Sequence, residues 1–277
     1  MTLLPLSPAV PRVSARVEFA LRQGVLLAVA VAVYFGVRSL TAGSAGAAHA
    51  NADGVVGLER SLGIFVERDV QAFVLRLDSA PQVLNAIYIY GHWPVIAGVL
   101  GWLAWRRRDA FVVYRNALLI SGVVGMAIVA LLPVAPPRLM DLGFIDTVTL
   151  HSEAYRVLQP PSFTNQYAAM PSFHVGWDLL VGIALVREGG RRWTRVVGMV
   201  LPGLMLLTVV ATGNHYFLDA VVGDAIVLSS LWLSGWTATR WHDRGRDGQR
   251  ERERPAPRPQ AAAAGQGPDG PRVRAAA

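Results

Sequence analysis

Two short polar segments interrupt strongly apolar stretches of this sequence, and each contains a histidine. In "HYFLD", His215 and Asp219 are four residues apart, so on a helix their side chains lie on one face, one turn from each other. A carboxylate placed there can accept a hydrogen bond from one ring nitrogen, which fixes the tautomer and makes the other nitrogen a better nucleophile or base. Such a pair can also simply cap a helix, and the spacing alone does not separate the two interpretations.

The second segment, "MPSFH", combines helix-start residues with another imidazole. Pro171 suits the first turn of a helix, so Ser172 and His174 are expected beside backbone N–H groups that have no partner within the helix. Such groups favour an anion. Because Pro and Ser are ordinary residues at helix starts, this segment indicates a site only in combination with "HYFLD".

A third segment, "APPRLMD", places Arg138 at the end of an apolar run. A guanidinium offers fork-shaped donors that match phosphate oxygens, although a lone arginine at a membrane edge can also contact lipid headgroups. Together, the three segments contain a guanidinium that can bind an anion, a helix start with a hydroxyl, and two imidazoles, one of them beside a carboxylate. These are the groups needed to move a phosphoryl group through a phospho-histidine intermediate.

The composition indicates that membrane-spanning helices position these groups. Of the 277 residues, 53% are hydrophobic and 16% are charged, whereas soluble proteins carry about 25% charged residues. Several apolar runs reach the ~20 residues that a helix needs to cross a bilayer. We therefore predict an all-α polytopic membrane protein that contacts the lipid bilayer. The chain contains no cysteine, which excludes disulfides, thiolate chemistry and cysteine-ligated metals.

The apolar runs predict a bundle of six transmembrane helices with an outer amphipathic helix. The six spans are 17–40, 84–105, 111–132, 171–186, 196–212 and 217–236, and the amphipathic helix covers 56–77. The stretch 41–54 has turn character, Pro94 is expected to kink the second span, and 140–169 is a functional or disordered connection. A cleaved signal peptide is the alternative for the first span, but a retained helix is preferred.

The organisation along the chain follows from these spans. We predict an N-terminal region with the first transmembrane helix at 1–55, a catalytic membrane domain at 56–236, and a disordered, Arg/Pro/Ala-rich cytoplasmic tail at 237–277. With six spans, every arginine cluster falls on one face, which the positive-inside rule makes cytoplasmic.

The predicted orientation places the site outside the cytoplasm. Both chain ends are cytoplasmic in this multi-pass protein of the plasma membrane, and the three polar segments lie at the extracytoplasmic edge, level with lipid headgroups. All 26 basic residues are arginine and the net charge is +7. Because this charge follows the membrane topology, it predicts no nucleic acid partner.

On these segments the sequence resembles the type 2 phosphatidic acid phosphatase superfamily of membrane lipid phosphatases and phosphotransferases. That family has a six-helix bundle and three motifs, K-x6-R-P, P-S-G-H and S-R-x5-H-x3-D. "PSFH" at 171–174 matches the second motif with Phe173 in the glycine position, and "HYFLD" matches the end of the third. Arg138 stands for the arginine of the first motif.

The departures from these motifs resemble one branch of the family. Val209 occupies the position of the arginine six residues before His215, and the prolines precede Arg138 instead of following it. A PPR-type first motif and "MPSxH" are similar to the inositol-phosphorylceramide synthases, which are inositolphosphotransferases. The resemblance implies a phosphate site that is incomplete without the arginine of the third motif, and Arg156 or Asn165 in the long outer connection would complete it.

The resemblance implies a role for each matching residue. His215 attacks phosphorus, Asp219 orients it, and His174 protonates the leaving oxygen and then activates the acceptor. Arg138, Ser172 and nearby backbone groups stabilise charge on the phosphoryl oxygens. Neither a metal nor an organic cofactor is required.

His92, one turn after Tyr88 on the second span, can approach this site from the outer half of the membrane. A buried histidine satisfied by a neighbour is the preferred interpretation of this residue.

The motifs leave several questions open. Hydrolysis and transfer differ only in the acceptor, which is water or a hydroxyl such as that of inositol. Phosphatidate, polyprenyl pyrophosphate, phosphatidylinositol and ceramide-type acceptors all fit as membrane lipid substrates, and the oligomeric state is undetermined.

Two other classes of function are alternatives. In a haem-binding membrane protein, His92, His174 and His215 would serve as ligands, although His174 and His215 are expected at helix ends and not at mid-depth. A non-catalytic carrier would keep the fold without the chemistry.

Overall fold

The computed structural model describes residues 15–40, 44–148 and 165–252. Over these residues the chain forms helices and no strand, with an isolated parallel bridge between Val134 and Ala168. The helices are α1 Ala15–Leu40, α2 Ala45–Ser61, α3 Glu67–Val74, α4 Ala80–Ala86, α5 His92–Arg106, α6 Arg108–Leu131, α7 Phe173–Glu188, α8 Arg192–Ala211 and α9 Phe217–Arg252, with a π turn at Ile87–Gly91 and a 3-10 turn at Pro137–Leu139. The predicted all-α class is confirmed.

Five helical segments of the described chain are long and apolar enough to cross a membrane: Val17–Tyr34, Ala80–Arg106, Arg108–Leu131, Arg192–Ala211 and Phe217–Arg240. They make this a polytopic membrane protein. The predicted fourth span corresponds to α7, which has 16 residues. Such a helix is about 24 Å long, shorter than a hydrocarbon core of ~30 Å. More than half of its residues are buried, because α7 packs along α8 and also contacts α5 and α6.

The region before the second span differs from the prediction. Residues 45–61, expected partly as a turn, form α2, which begins where the Ser44 hydroxyl accepts a hydrogen bond from the Ala47 N–H at 3.3 Å. The single amphipathic helix predicted at 56–77 is wrong, because α2 ends at Ser61 and Gly63 turns the chain with a φ of +70° before α3 begins. The alanines of α2 have a high helix propensity that outweighs its Gly and Asn residues.

The expected kink at Pro94 takes the form of the π turn directly before it. Proline has no N–H and clashes with the carbonyl four residues earlier, which here belongs to Tyr90. The turn Ile87–Gly91 contains that residue. The local widening of the helix absorbs the missing hydrogen bond and changes which side chains of the second span face the bundle.

Glycines allow the backbones of α8 and α9 to contact the backbone of α7 and of the residue before it. A Cβ on Gly182 of α7 would lie 2.5 Å from the Gly198 carbonyl oxygen of α8, and the reverse distance is also 2.5 Å. A Cβ on Gly223 of α9 would lie 2.3 Å from the carbonyl oxygen of Ser172. This close approach, which small residues allow in membrane bundles, fixes the start of α7 against the first turns of α9.

The chain divides into one compact unit at Met1–Ala238 and a second at Thr239–Ala277. In the second unit the described residues continue α9 as far as Arg252, so the tail predicted as disordered from 237 is helical up to that residue. Its Arg, Gln and Glu residues are good helix formers. Residues 253–277 lie outside the described part of the chain.

Candidate active site

A cavity opens where the starts of α7 and α9, the end of α6 and the π turn meet. It brings together most of the residues singled out in the sequence, which are His92, Arg138, Asn165, His174 and His215. Aromatic side chains form much of the remaining wall: Tyr34, Tyr88, Trp93, Phe173 and Trp177. Polar groups that can bind an anion therefore face an apolar chamber, which suits an amphipathic ligand.

His215 lies in the tight turn between α8 and α9. Its Nδ1 atom is 2.7 Å from the carbonyl oxygen of Ala169 and 3.4 Å from Oδ2 of Asp219. A carbonyl oxygen can only accept, so Nδ1 donates the hydrogen and Nε2 keeps its lone pair. This tautomer is the one that a nucleophilic Nε2 requires.

The carbonyl of Ala169 is a functional group that the sequence analysis missed. It belongs to the segment that leads into α7, and this segment is tied to the chain before Arg138. The Ala169 N–H donates to the Val134 carbonyl at 3.2 Å, and the Val134 N–H donates to the Tyr167 carbonyl at 2.8 Å. A backbone acceptor has no signature in the amino-acid sequence, so only the fold reveals it.

Asp219 both caps a helix and lies beside the His215 ring, the two interpretations that its spacing left open. Its Oδ2 atom accepts a hydrogen bond from the Tyr216 N–H at 2.9 Å, which caps the first turn of α9, and also lies near His215. Its backbone carbonyl accepts from the Ser172 N–H at 2.9 Å. The residue is fully buried and does not line the cavity. It therefore acts on the cavity only through His215 and through the start of α7.

Two buried glutamates from the region predicted as one amphipathic helix support the same turn, and the sequence analysis did not single them out. Oε1 of Glu67 accepts from the Phe217 N–H at 3.0 Å, and Oε1 of Glu59 accepts from the Leu218 N–H at 2.8 Å. With Asp219 on Tyr216, three consecutive N–H groups at the start of α9 each bind a carboxyl group. We call Glu59, Glu67 and Asp219 the carboxyl clamp.

A signal for Glu59 exists in the sequence. The buried residues of α2 are Ala48, Ala52, Val56 and Glu59, which recur at helical spacing. Glu59 therefore continues the apolar face of α2 and not its polar face. The carboxyl clamp supplies acceptor oxygens to N–H groups at a helix N-terminus, which have no partner within the helix.

Glu59 should make the stability of the protein depend on pH. Burial, followed by the hydrogen bond with Glu67, raises its pKa from 4.5 to about 8. The folded state then binds more protons than the unfolded state between these values, so the free energy of unfolding falls as pH rises, by about 1 kcal/mol per pH unit. In Glu59→Gln the amide can donate to Glu67 and accept from the Leu218 N–H, and the side chain at position 59 no longer ionises. We expect this variant to lose much less thermal stability than the wild type between about pH 6 and about pH 9.

Thermal unfolding in detergent over this pH range measures the effect. Asp69→Asn on α3 is the matched control, because Asp69 is exposed and its neutralisation should leave the pH dependence of the wild type intact. Equal slopes for the wild type and Glu59→Gln would show that Glu59 is not the group that titrates.

Arg138 is anchored beside the turn that carries His215. Its backbone N–H donates to the Gly213 carbonyl at 2.9 Å. Its guanidinium donates through Nη1 to Oδ1 of Asn214. Its Nε atom lies 3.5 Å from Oδ2 of Asp146. The arginine is thus fixed at the cavity, with a geometry that a freely snorkelling side chain does not have.

Asn214 is a second residue that the sequence analysis missed. It lines the cavity, and its Nδ2 atom donates to the Thr212 hydroxyl at 2.7 Å. Its position directly before His215 is the only signal in the sequence.

His174 lies within reach of His215. The centroids of the two rings are 5.8 Å apart, and the His174 ring also contacts Tyr88 and His92, each at 4.5 Å. The two imidazoles predicted from separate segments therefore face one cavity.

The other predicted residues have different placements. The Ser172 hydroxyl is fully buried, has no hydrogen-bond partner in the described part of the chain, and does not line the cavity. Asn165 does line it and accepts a hydrogen bond from the Tyr167 N–H at 2.9 Å. Arg156 lies outside the described residues.

His92 has a buried hydrogen-bond partner and also lies at the cavity. Its Nδ1 atom lies 2.9 Å from Oδ1 of Asp178, so a neighbour satisfies this buried histidine, and its ring also lines the cavity. Asp178 was missed, although "HVGWD" repeats the H-x3-D spacing of "HYFLD".

Phe173 occupies the position where the family motif has glycine. Its ring stacks on Trp177 with a centroid distance of 4.8 Å and lies directly over Gly125 of α6. A Cβ on Gly125 would lie 2.0 Å from this ring. The missing side chain at 125 therefore creates the space for Phe173.

The fold and the cavity define a polytopic membrane protein in which histidines from separate helices share a buried site with an arginine. A family model described as the PAP2 superfamily matches residues 53–233, and the chain belongs to this superfamily. Membership supports phosphatase or phosphotransferase activity in general. No curated protein and no solved structure matched the chain.

Proposed function

We propose that this protein is a lipid phosphatase or phosphotransferase that works through a phospho-histidine at His215, without a metal ion. The observation that carries the proposal is the hydrogen bond from His215 Nδ1 to the Ala169 carbonyl, since it leaves Nε2 as the free nucleophile. Asp219, 3.4 Å from the same nitrogen, stabilises the positive charge that develops when Nε2 bonds to phosphorus.

The remaining groups supply the other parts of the reaction. When Nε2 of His215 attacks, the bond from phosphorus to the leaving oxygen breaks, and His174 donates a proton to that oxygen. Arg138, held by Asn214, provides positive charge for the phosphoryl oxygens. In the second half of the reaction, water or a hydroxyl attacks phosphorus and releases His215.

Lipid is the substrate class that the cavity favours. Its polar side carries Arg138, His174 and His215, whereas aromatic and aliphatic side chains form most of its other walls. The arginine distribution supports an orientation with cytoplasmic chain ends and with this polar side at the extracytoplasmic face of the plasma membrane. The PPR-type first motif and "MPSxH" support inositol-phosphate transfer as the particular reaction.

Activity assays on purified protein test this proposal. The protein is incubated with phosphatidate, polyprenyl pyrophosphate or phosphatidylinositol in mixed micelles, with and without an added hydroxyl acceptor such as inositol or ceramide. We expect turnover of at least one lipid. Release of free phosphate without an acceptor identifies a phosphatase, and a new phosphodiester formed only with an acceptor identifies a transferase. No turnover on any lipid contradicts the proposal.

A further inference from the structure

His92 and Asp178 form a buried polar pair in the cavity that the mechanism above does not use. Their Nδ1 and Oδ1 atoms are 2.9 Å apart, and both side chains are almost completely buried. His92 lies within the span Ala80–Arg106, and Asp178 lies in α7. Ionisable groups inside a membrane bundle are energetically unfavourable and characteristically serve ion, proton or substrate chemistry.

The π turn brings His92 to the reacting groups. It ends at Gly91, directly before His92, and π turns occur frequently at functional sites. Tyr88 in this turn and His92 after it both contact the ring of His174 with centroid distances of 4.5 Å. The irregular turn thus places a second imidazole beside the acid of the first half-reaction.

The pair repeats the arrangement found at His215. A carboxylate oxygen accepts from Nδ1 of His92, so Nε2 keeps its lone pair and is a base. His174 therefore lies between two His–Asp pairs, 5.8 Å from the ring of His215 and 4.5 Å from that of His92. Trp177 lies nearly parallel to His92 at an interplanar angle of 5°, so an aromatic wall shields this second base from bulk water.

We propose that His92, supported by Asp178, accepts the proton of the attacking hydroxyl in the second half of the reaction. This inference rests on the proposed phospho-histidine function. The hydroxyl oxygen bonds to phosphorus, the bond from phosphorus to His215 Nε2 breaks, and the hydroxyl proton moves to Nε2 of His92. Asp178 stabilises the imidazolium that forms. The cycle closes when this proton passes to His174, which gave its own proton to the leaving oxygen.

Two bases at separate positions suit transfer to a hydroxyl-bearing acceptor. A single histidine has to serve the leaving group and the acceptor in turn, from one position. With His92 as the second base, the acceptor can occupy its own subsite beside the aromatic wall while the leaving lipid remains near His174. A shielded base favours a bound hydroxyl over bulk water, because ordered binding replaces solvent in a cavity of this kind.

Rapid-quench measurement of the phospho-enzyme tests this role. The protein reacts with whichever of the 32P-labelled phosphatidate, polyprenyl pyrophosphate and phosphatidylinositol it turns over fastest, and inositol or water serves as the acceptor. In His92→Gln and Asp178→Asn we expect phospho-enzyme to form at nearly the wild-type rate. Its breakdown should slow by about 30- to 100-fold, as expected for the loss of a positioned base. Labelled protein then accumulates, and the breakdown rate loses its dependence on pH.

Ser121→Ala is the matched control for packing. It removes the hydrogen bond that Trp177 Nε1 donates to Ser121 at 3.1 Å and leaves the His92 pair in place. Both half-reactions should keep their rates in this variant. If His92→Gln slows formation and breakdown equally, or changes neither, His92 is not the proton acceptor. If the wild type turns over lipid but forms no phospho-enzyme, or turns over none of the three lipids, the proposed function itself fails.

Discussion

Replacing His215 with asparagine is expected to lower turnover by at least about three orders of magnitude. The amide nitrogen of asparagine occupies roughly the place of Nδ1, so it can still donate to the Ala169 carbonyl and face Asp219. The substitution therefore removes Nε2, the proposed nucleophile, while it keeps the hydrogen bonds that hold the turn. Steady-state turnover of the preferred lipid measures the loss, and labelling with 32P should show no phospho-enzyme.

His49→Asn is the matched control for this change. His49 of α2 also hydrogen-bonds backbone carbonyls, those of Ala45 and Leu139, but it does not line the cavity. We expect this variant to keep turnover within about threefold of the wild type. Substantial turnover by a well-folded His215→Asn protein would assign the nucleophile to another residue.

Replacing His174 with glutamine is expected to lower turnover of lipid substrates by about two to three orders of magnitude. A lipid alkoxide is a poor leaving group, so in the proposed mechanism it needs the proton that His174 donates. A p-nitrophenolate leaving group needs little protonation, so the same variant should lose much less activity on p-nitrophenyl phosphate. The ratio of kcat/KM between the two substrate types, compared with the wild-type ratio, measures this difference.

The two substitutions should therefore differ in their response to the leaving group. His215→Asn removes the proposed attacking atom and is expected to be inactive on both substrate types. His174→Gln should retain much of its activity on p-nitrophenyl phosphate. An equal loss on both types by His174→Gln would indicate that this residue holds the phosphoryl group and is not the acid.

The parts of the site that depend on local spacing could be predicted from the sequence. His215 and Asp219 are one turn apart on any helix, and Pro171 precedes a helix start, so two of the histidines that line the cavity could be singled out from the sequence. The spans could be predicted because apolar runs of sufficient length have few other stable arrangements. The division of 56–77 into two helices was missed, since it depends on the left-handed turn at Gly63.

The groups contributed by tertiary packing could not be predicted. The Ala169 carbonyl reaches His215 only because a parallel bridge fixes the chain before α7. In the sequence Glu67 is an ordinary polar residue of a short amphipathic helix, and its contact with the start of α9 depends on how α3 packs. Asp178 has the spacing to pair with His174, yet its partner is His92 on another helix.

The contact between Phe173 and Gly125 links the evolution of two positions that are far apart in sequence. Because the ring lies where a Cβ at 125 would be, a larger residue there forces the phenyl group into the chamber and takes space from the bound molecule. Descendants of this protein can therefore enlarge residue 125 only after residue 173 has become smaller. New ligand preferences in this lineage should arise through paired, ordered substitutions at these two sites.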